Sequence, residues 1–327
     1  MGQVTDLAEP ALFDDRPVRP KSSPTGPDRA FRGLATGAAM ASLVIVVATL
    51  VFLVRGSRQA LHSSGIVDFF TKSYWRPTLG KFGAFGLMEG TMIIALLAVA
   101  VAAPLGIGMA LFINEYAPGR LRTVTTSVID LLAALPSILF GLWGLFAFKD
   151  KLVPIAKWIG DHLSVFPFFR IPPSGAILAG SSFVAGMVLS IMILPIITSV
   201  SRDVMAQAPR EQCEGALALG GTRWGMIRSV ILPFGRNGIV GAVLLGLGRA
   251  LGETIAVALV IVLVFQTNTN LLTQGASAIA PTIALRFGEA SPVERSGLVA
   301  IGLALFIVTL VVNLAARAIV SRTEKVR

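Results

Sequence analysis

The residues best equipped to handle charge in this chain stand where charge is most costly. Arg249 and Glu253 interrupt the apolar run from Ile239 to Phe265, a stretch long enough to cross the hydrocarbon core of a bilayer. An ionised side chain at that depth costs about 2.5 kcal/mol or more, so it faces protein or a water-filled path. Four residues apart on a continuous helix, the two side chains fall on one face and within pairing reach. Gly246, Gly248 and Gly252 thin the same stretch and let backbone or a ligand come close. The chemistry this pattern offers is the passage of a charge through the membrane, not the making of a bond. A structural ion pair that fixes helix packing is the competing reading.

The elements that must position these residues are apolar helices. The chain has 327 residues, 54% hydrophobic and 14% charged, with a mean hydropathy of +0.77, which is not the balance of a soluble domain. Runs of spanning length predict six helices, near 33–54, 87–113, 124–148, 175–200, 239–265 and 297–320, with Pro104, Pro136 and Pro195 inside three of them. The fold class expected is all-α, polytopic and membrane-embedded. Residues 1–32 read as a disordered polar tail, 33–320 as the transmembrane domain, and 321–327 as a second short tail. Phe69-Phe70 and Tyr74-Trp75 suit an interfacial segment at headgroup depth. Both termini are expected in the cytoplasm, which places 16 Lys and Arg on that side against 11 outside. The net charge of +10 fits attraction to anionic membrane lipid. It does not point to nucleic acid, because no basic face is interleaved with aromatics. A single cysteine, Cys213, rules out a disulfide framework, and His62 and His162 have no partner at metal-ligand spacing.

Between the fourth and fifth spans lies a polar segment, 201–236, with its own local signals. Pro209 suits the first turn of a helix, and Glu211 and Glu214 complement the positive end of its dipole. Gly220-Gly221 stops that helix, and Thr222 caps a second one, expected to end at Leu232-Pro233. Asp130 and Glu89 are secondary candidates for a transport role.

The spacing in this segment carries a resemblance. Glu214-Gly215-Ala216, three residues, Gly220, nine residues, then Val230-Ile231-Leu232-Pro233 resembles the EAA loop of ABC importer permeases, with Gly215 and Val230 as mild departures. In that family the element is a coupling helix seated on an ATPase subunit, which here assigns coupling roles to Glu211, Glu214, Gly215, Ala216, Gly220, Arg223, Leu232 and Pro233. Leu245–Thr254, Asp130–Ser137 and Gly141–Phe146 resemble the PstC-type permeases of phosphate ABC importers. The resemblance covers the chain from the first span to the last. It implies a type I importer (MetI-like) fold in the bacterial plasma membrane. The partners it implies are a PstA-type permease, a PstB-type ATPase dimer, a PstS-type external binding protein and inorganic phosphate. ATP and Mg would be bound by the ATPase; this chain has no phosphate-binding Gly-x-x-x-x-Gly-Lys loop, binds no cofactor of its own and is not an enzyme. It also makes Arg249, Glu253, Gly246, Gly252 and Thr254 residues of the substrate path. A guanidinium can grip two phosphate oxygens at once. Glu253 would neutralise it while the path is empty and accept a hydrogen bond from protonated phosphate. Gly246 would leave the same face open, and a second cation is expected from the paired permease. The alternatives are an importer of another oxyanion, such as sulfate or molybdate, or an ion-coupled secondary transporter.

Overall fold

A computed structural model describes residues 26–171 and 179–324, with side chains described as far as residue 318. Residues 1–25 of the tail expected at 1–32, the prolines at 172 and 173, the start of the fourth predicted span and residues 325–327 lie outside the described residues. Residues up to Leu50 form one compact unit and those from Val51 onward a second.

Among the described residues, five helical stretches are long and apolar enough to cross a membrane: Gly26–Ser64, Phe85–Tyr116, Ser182–Met205, Arg223–Gly252 and Pro292–Ala318. A bent pair, Gly119–Ala134 with Ser137–His162, makes a sixth candidate. The all-α, multi-span class is therefore as expected, while several boundaries move. Helix α1 runs Gly26–Ser64, so it begins inside the segment read as a tail. It is followed by α2 (Ile66–Thr71) and a small antiparallel hairpin, β1 (Trp75–Arg76) with β2 (Lys81–Phe82). The aromatics here are packing groups and not only interfacial anchors. Phe69 and Phe82 are fully buried. Trp75 stacks on Phe265 and donates from Nε1 to Glu294 Oε1 at 3.1 Å. Arg286 pairs with the same carboxylate oxygen at 3.0 Å and lies over the Phe265 ring.

Helix α3 (Phe85–Leu111) holds Pro104 and ends in a π turn, Phe112–Tyr116. The third predicted span is not straight. Helix α4 (Gly119–Ala134) stops at Leu135, and α5 (Ser137–Trp143), a π turn (Gly144–Phe148) and α6 (Lys149–His162) leave at 96°. The cause is local: the ring of Pro136 drives the residue before it out of the helical region, and Leu135 adopts φ −66°, ψ 139°. Helix α7 (Ser182–Met205) starts later than predicted. It follows Gly180 at φ +78°, and the Ser181 hydroxyl accepts from Val184 N. Pro195 sits inside it.

The polar segment between α7 and the next span forms α8 (Arg210–Ala218) and α9 (Arg223–Met226). Leu232-Pro233 was expected to end the second helix, but the chain continues through a π turn (Ile227–Ile231) into α10 (Leu232–Gly252). Pro233 falls in the first turn of α10, where its missing N–H has little to lose, and the wider turn before it accommodates the ring. The fifth predicted span also breaks. After Gly252 come α11 (Ile255–Val260), an extended stretch and α12 (Ile279–Arg286), before α13 (Pro292–Glu324). The stretch between α11 and α12 packs inward despite its polar residues, with Leu272, Ala276 and Ala278 buried. Its asparagines hold it to itself: Asn268 Nδ2 donates to Gly275 O and Asn270 Oδ1 accepts from Leu272 N. The main core gathers α3, α5, α7, α10 and α11 around residues such as Ile94, Phe140, Leu189, Ile193, Ile197 and Leu251.

Candidate functional site

The α10 helix carries two faces with different roles. Gly246 and Leu247 are buried, and a Cβ on Gly246 would lie 2.9 Å from the side chain of Ile197 on α7. Gly246 therefore serves close helix packing, and the opening beside Arg249 is made elsewhere. It is Gly248 and Gly252 that border open space. The other face, with Asn237, Gly241, Leu245, Gly248 and Arg249, lines a cavity of about 1030 Å³ shared with α7 and α13.

Arg249 is exposed to this cavity and has no hydrogen-bond or ion-pair partner among the described residues. The pairing expected from its spacing to Glu253 does not form, because the helix that would place them on one face ends at Gly252. Glu253 is extended, at φ −68° and ψ 131°, and its Oε1 accepts from Ala256 N at 3.3 Å. It acts as a cap for α11, satisfying one of the amide donors a helix start leaves open. Packing fixes this break: a Cβ on Gly141 of α5 would sit 2.7 Å from the Cα of Ala256, so α11 lies backbone to backbone on α5. Thr254 Oγ1 donates to Gly252 O at 3.2 Å across the break. Glu253 borders a separate cleft with Thr91, Ala278 and Pro281, of about 10 Å³, at the lower limit of what one water needs. The carboxylate and the guanidinium therefore address different spaces, and only the guanidinium faces one that admits a polyatomic anion.

Most of the residues expected to contact an ATPase lie on the surface, while Ala216 and Leu232 pack inward. Helix α8 begins after Pro209, with Glu211 in its first turn and Glu214 exposed. Gly220 turns the chain at φ +82°, a conformation glycine reaches without a Cβ penalty. The Thr222 hydroxyl then accepts from Gly225 N at 3.1 Å, as predicted. Cys213 and Ala216 sit on the inward side of α8 against Met205, Met226 and Ile231. Burial, then the carboxylates of Glu115 and Glu214, push the Cys213 thiol above its ordinary pKa. Gly215 faces open space, and Leu232 packs at the start of α10. Sequence reasoning missed two groups here: Leu219 is 91% exposed and Trp224 58%. A large apolar residue just before a glycine turn, and a tryptophan in a polar segment, were the available signals.

Below this surface a polar clamp ties four elements. Arg223 Nη1 donates to Glu115 O at 3.2 Å in the turn after α3, and Asn114 Nδ2 donates to Arg202 O at 2.8 Å at the end of α7. Arg202 pairs with Asp203 at 3.0 Å and, more loosely, with Asp130 of α4 at 3.5 Å. Asp130 is thus a partner of α7 and stands outside both cavities. Glu89 buries Oε2 with no hydrogen-bond partner in the first turns of α3 and also lines neither cavity.

Residues 102–325 match the family described as "Binding-protein-dependent transport system inner membrane component". The chain is 40% identical to the phosphate transport system permease protein PstC of Xylella fastidiosa (strain Temecula1), over 91% of this chain and 92% of that one. It is 39% identical to PstC 2 of Mycobacterium tuberculosis, over 96% of both. Among solved structures, it is similar to a chain of a bacterial alginate ABC transporter in complex with its periplasmic protein, with TM-score 0.58, 17% identity and coverage of 91% and 97%. A chain of the MetNI methionine ABC transporter in an inward-facing conformation gives TM-score 0.52 at 17% identity, covering 72% and 94%; at such identities these two speak for the fold alone. Family match, relatives and fold agree, and the chain belongs to the binding-protein-dependent transport system inner membrane components, as an ABC importer permease of the PstC branch.

Proposed function

We propose that this chain forms half of the translocation path of an ATP-driven importer of inorganic phosphate. The observation that carries the reading is the unpaired guanidinium of Arg249 on a cavity wide enough for a phosphate ion, in a chain whose relatives are phosphate permeases. Phosphate leaves water at high cost, and a fixed planar cation that is not already neutralised repays part of it through charge-assisted hydrogen bonds. Gly248 and Gly252 keep the space beside it open, and Thr254 closes the turn that separates Arg249 from Glu253. Glu253 acts at one remove: it caps α11 and so fixes where α10 ends.

The partners in this reading are a PstA-type permease completing the path, PstB-type ATPases that hold ATP and Mg, and a PstS-type protein delivering phosphate from outside. The termini lie in the cytoplasm. The ATPase grips Glu211, Glu214, Leu219 and Trp224. Movement of α8 and α9 then reaches the spans by two routes: rigidly into α10 through the continuous turn at Ile227–Ile231, and through Arg223 to the end of α3. The test is uptake by proteoliposomes holding the assembled complex. Phosphate accumulation is expected to follow enclosed ATP and to require the external binding protein. Accumulation driven by a proton gradient without ATP would overturn the reading.

A further inference from the structure

The cavity that Arg249 borders has a second guanidinium on its wall. Arg317, on α13, lines the same space together with Asn313. Like Arg249, Arg317 is exposed and has no hydrogen-bond or ion-pair partner among the described residues. The lining positions on α10 recur every three or four residues from Asn237 to Arg249, which keeps them on one face over about 18 Å of helix. Leu310, Asn313, Leu314 and Arg317 follow the same spacing on α13. Asn237 and Asn313 are the other polar groups of the lining and the rest is apolar or glycine, so among the described residues the two arginines are the cavity's charged groups. One guanidinium does not balance a phosphate dianion, and the second cation was expected from a paired permease; this chain already supplies one.

We propose that Arg317, with the Asn313 amide beside it, is a second binding station for the same tetrahedral oxyanion, which phosphate reaches along the α10–α13 groove after leaving Arg249. The inference rests on the phosphate-importer reading above. Two cations spread along one groove suit passage better than two at one point, because each holds the anion while neither holds it so tightly that it cannot leave. An arginine near a helix end can instead reach up to lipid headgroups, whose phosphates present the same chemistry, and the experiment separates the two sources.

The assembled complex is reconstituted in vesicles of pure phosphatidylcholine and in vesicles enriched in phosphatidylglycerol, and ATP-driven uptake of radiolabelled inorganic phosphate is measured. Arg317→Gln is expected to lower uptake about tenfold in both lipids, the scale of one charge-assisted contact, with ATP hydrolysis still stimulated by the binding protein. Arg317→Lys should recover part of the rate. Asn313→Asp, which keeps the shape and adds a negative charge, should also lower uptake. Wild-type rates in Arg317→Gln or in Asn313→Asp would overturn the proposal, as would a defect confined to phosphatidylglycerol vesicles, which would assign Arg317 to lipid. Failure of the wild-type complex to move phosphate would instead overturn the importer reading itself.

Discussion

The break between α8 and α9 and the break between α10 and α11 are held in opposite ways. The turn between α8 and α9 is made by groups within itself: a left-handed Gly220, a hydroxyl cap from Thr222, and glycines at 215 and 220 with nothing around them. Its apolar groups point outward, Leu219 most of all. The break between α10 and α11 is made by its surroundings. Gly246 is pressed on Ile197, α11 lies on Gly141, and Ala256 and Val257 are buried. A turn whose backbone is set from within keeps its own shape when something outside moves it. A break set by packing holds its geometry and can present Arg249 to a cavity in a fixed place. The first has the physics of a handle, the second that of a site.

That contrast can be broken by mutation. The largest effect is expected at the handle's surface. Combining Glu214→Lys with Leu219→Asp should weaken ATPase association about 100-fold or more, the range of an interface hot spot, as read by co-purification. The thermal midpoint of the permease alone should stay unchanged. A fall in that midpoint would mean that these residues support the fold and not a partner. Next come the glycines. Gly141→Ala forces a Cβ into the Ala256 backbone and should cost about 1–3 kcal/mol of stability, lowering the midpoint of the whole permease. Gly220→Ala places a Cβ at φ +82°, at about 1–2 kcal/mol, but that cost should stay local, seen as faster proteolysis at 218–222 with no shift of the midpoint. Equal global effects of the two would erase the distinction. The smallest effect is chemical. With the Cys213 thiol raised above its ordinary pKa, less of it is thiolate at pH 8. Maleimide should therefore label it more slowly than a free cysteine, and the rate should keep climbing as the pH rises past 9. Labelling as fast as free cysteine at pH 8 would mean α8 does not seat against the bundle.

The same contrast explains what was legible in the sequence. Pro209, Gly220 and Thr222 act on backbone within a few residues of themselves, so the segment of α8 and α9 could be read residue by residue. The bend at Pro136 carried its signal as well, since a residue before proline leaves the helix, but the mostly apolar residues on either side concealed it. The break after Gly252 had no such signal. Gly-Glu-Thr in an apolar run reads as a polar inset on a continuous helix, and only the contact of α11 with Gly141, more than a hundred residues earlier in the chain, ends α10 there. For that reason the Arg249–Glu253 pair, which the spacing supports, is absent, and Gly246 turns out to pack where openness was expected. The inward course of the chain between α11 and α12 was hidden by its asparagines, whose amides bond to the backbone of their own stretch and, from Asn270, to the carbonyl of Arg170.

The claim at the centre of this account is that Arg249 faces the path as an uncompensated cation that binds phosphate. It is tested most directly by phosphate uptake in the reconstituted complex carrying Arg249→Gln, measured beside Glu253→Gln. Arg249→Gln should cut uptake about 100-fold, the scale of a lost bidentate charged contact, while binding-protein-stimulated ATP hydrolysis persists. Glu253→Gln, which keeps an oxygen to cap α11, should retain most of the rate. Normal uptake by Arg249→Gln, or equal loss in both variants, would contradict it.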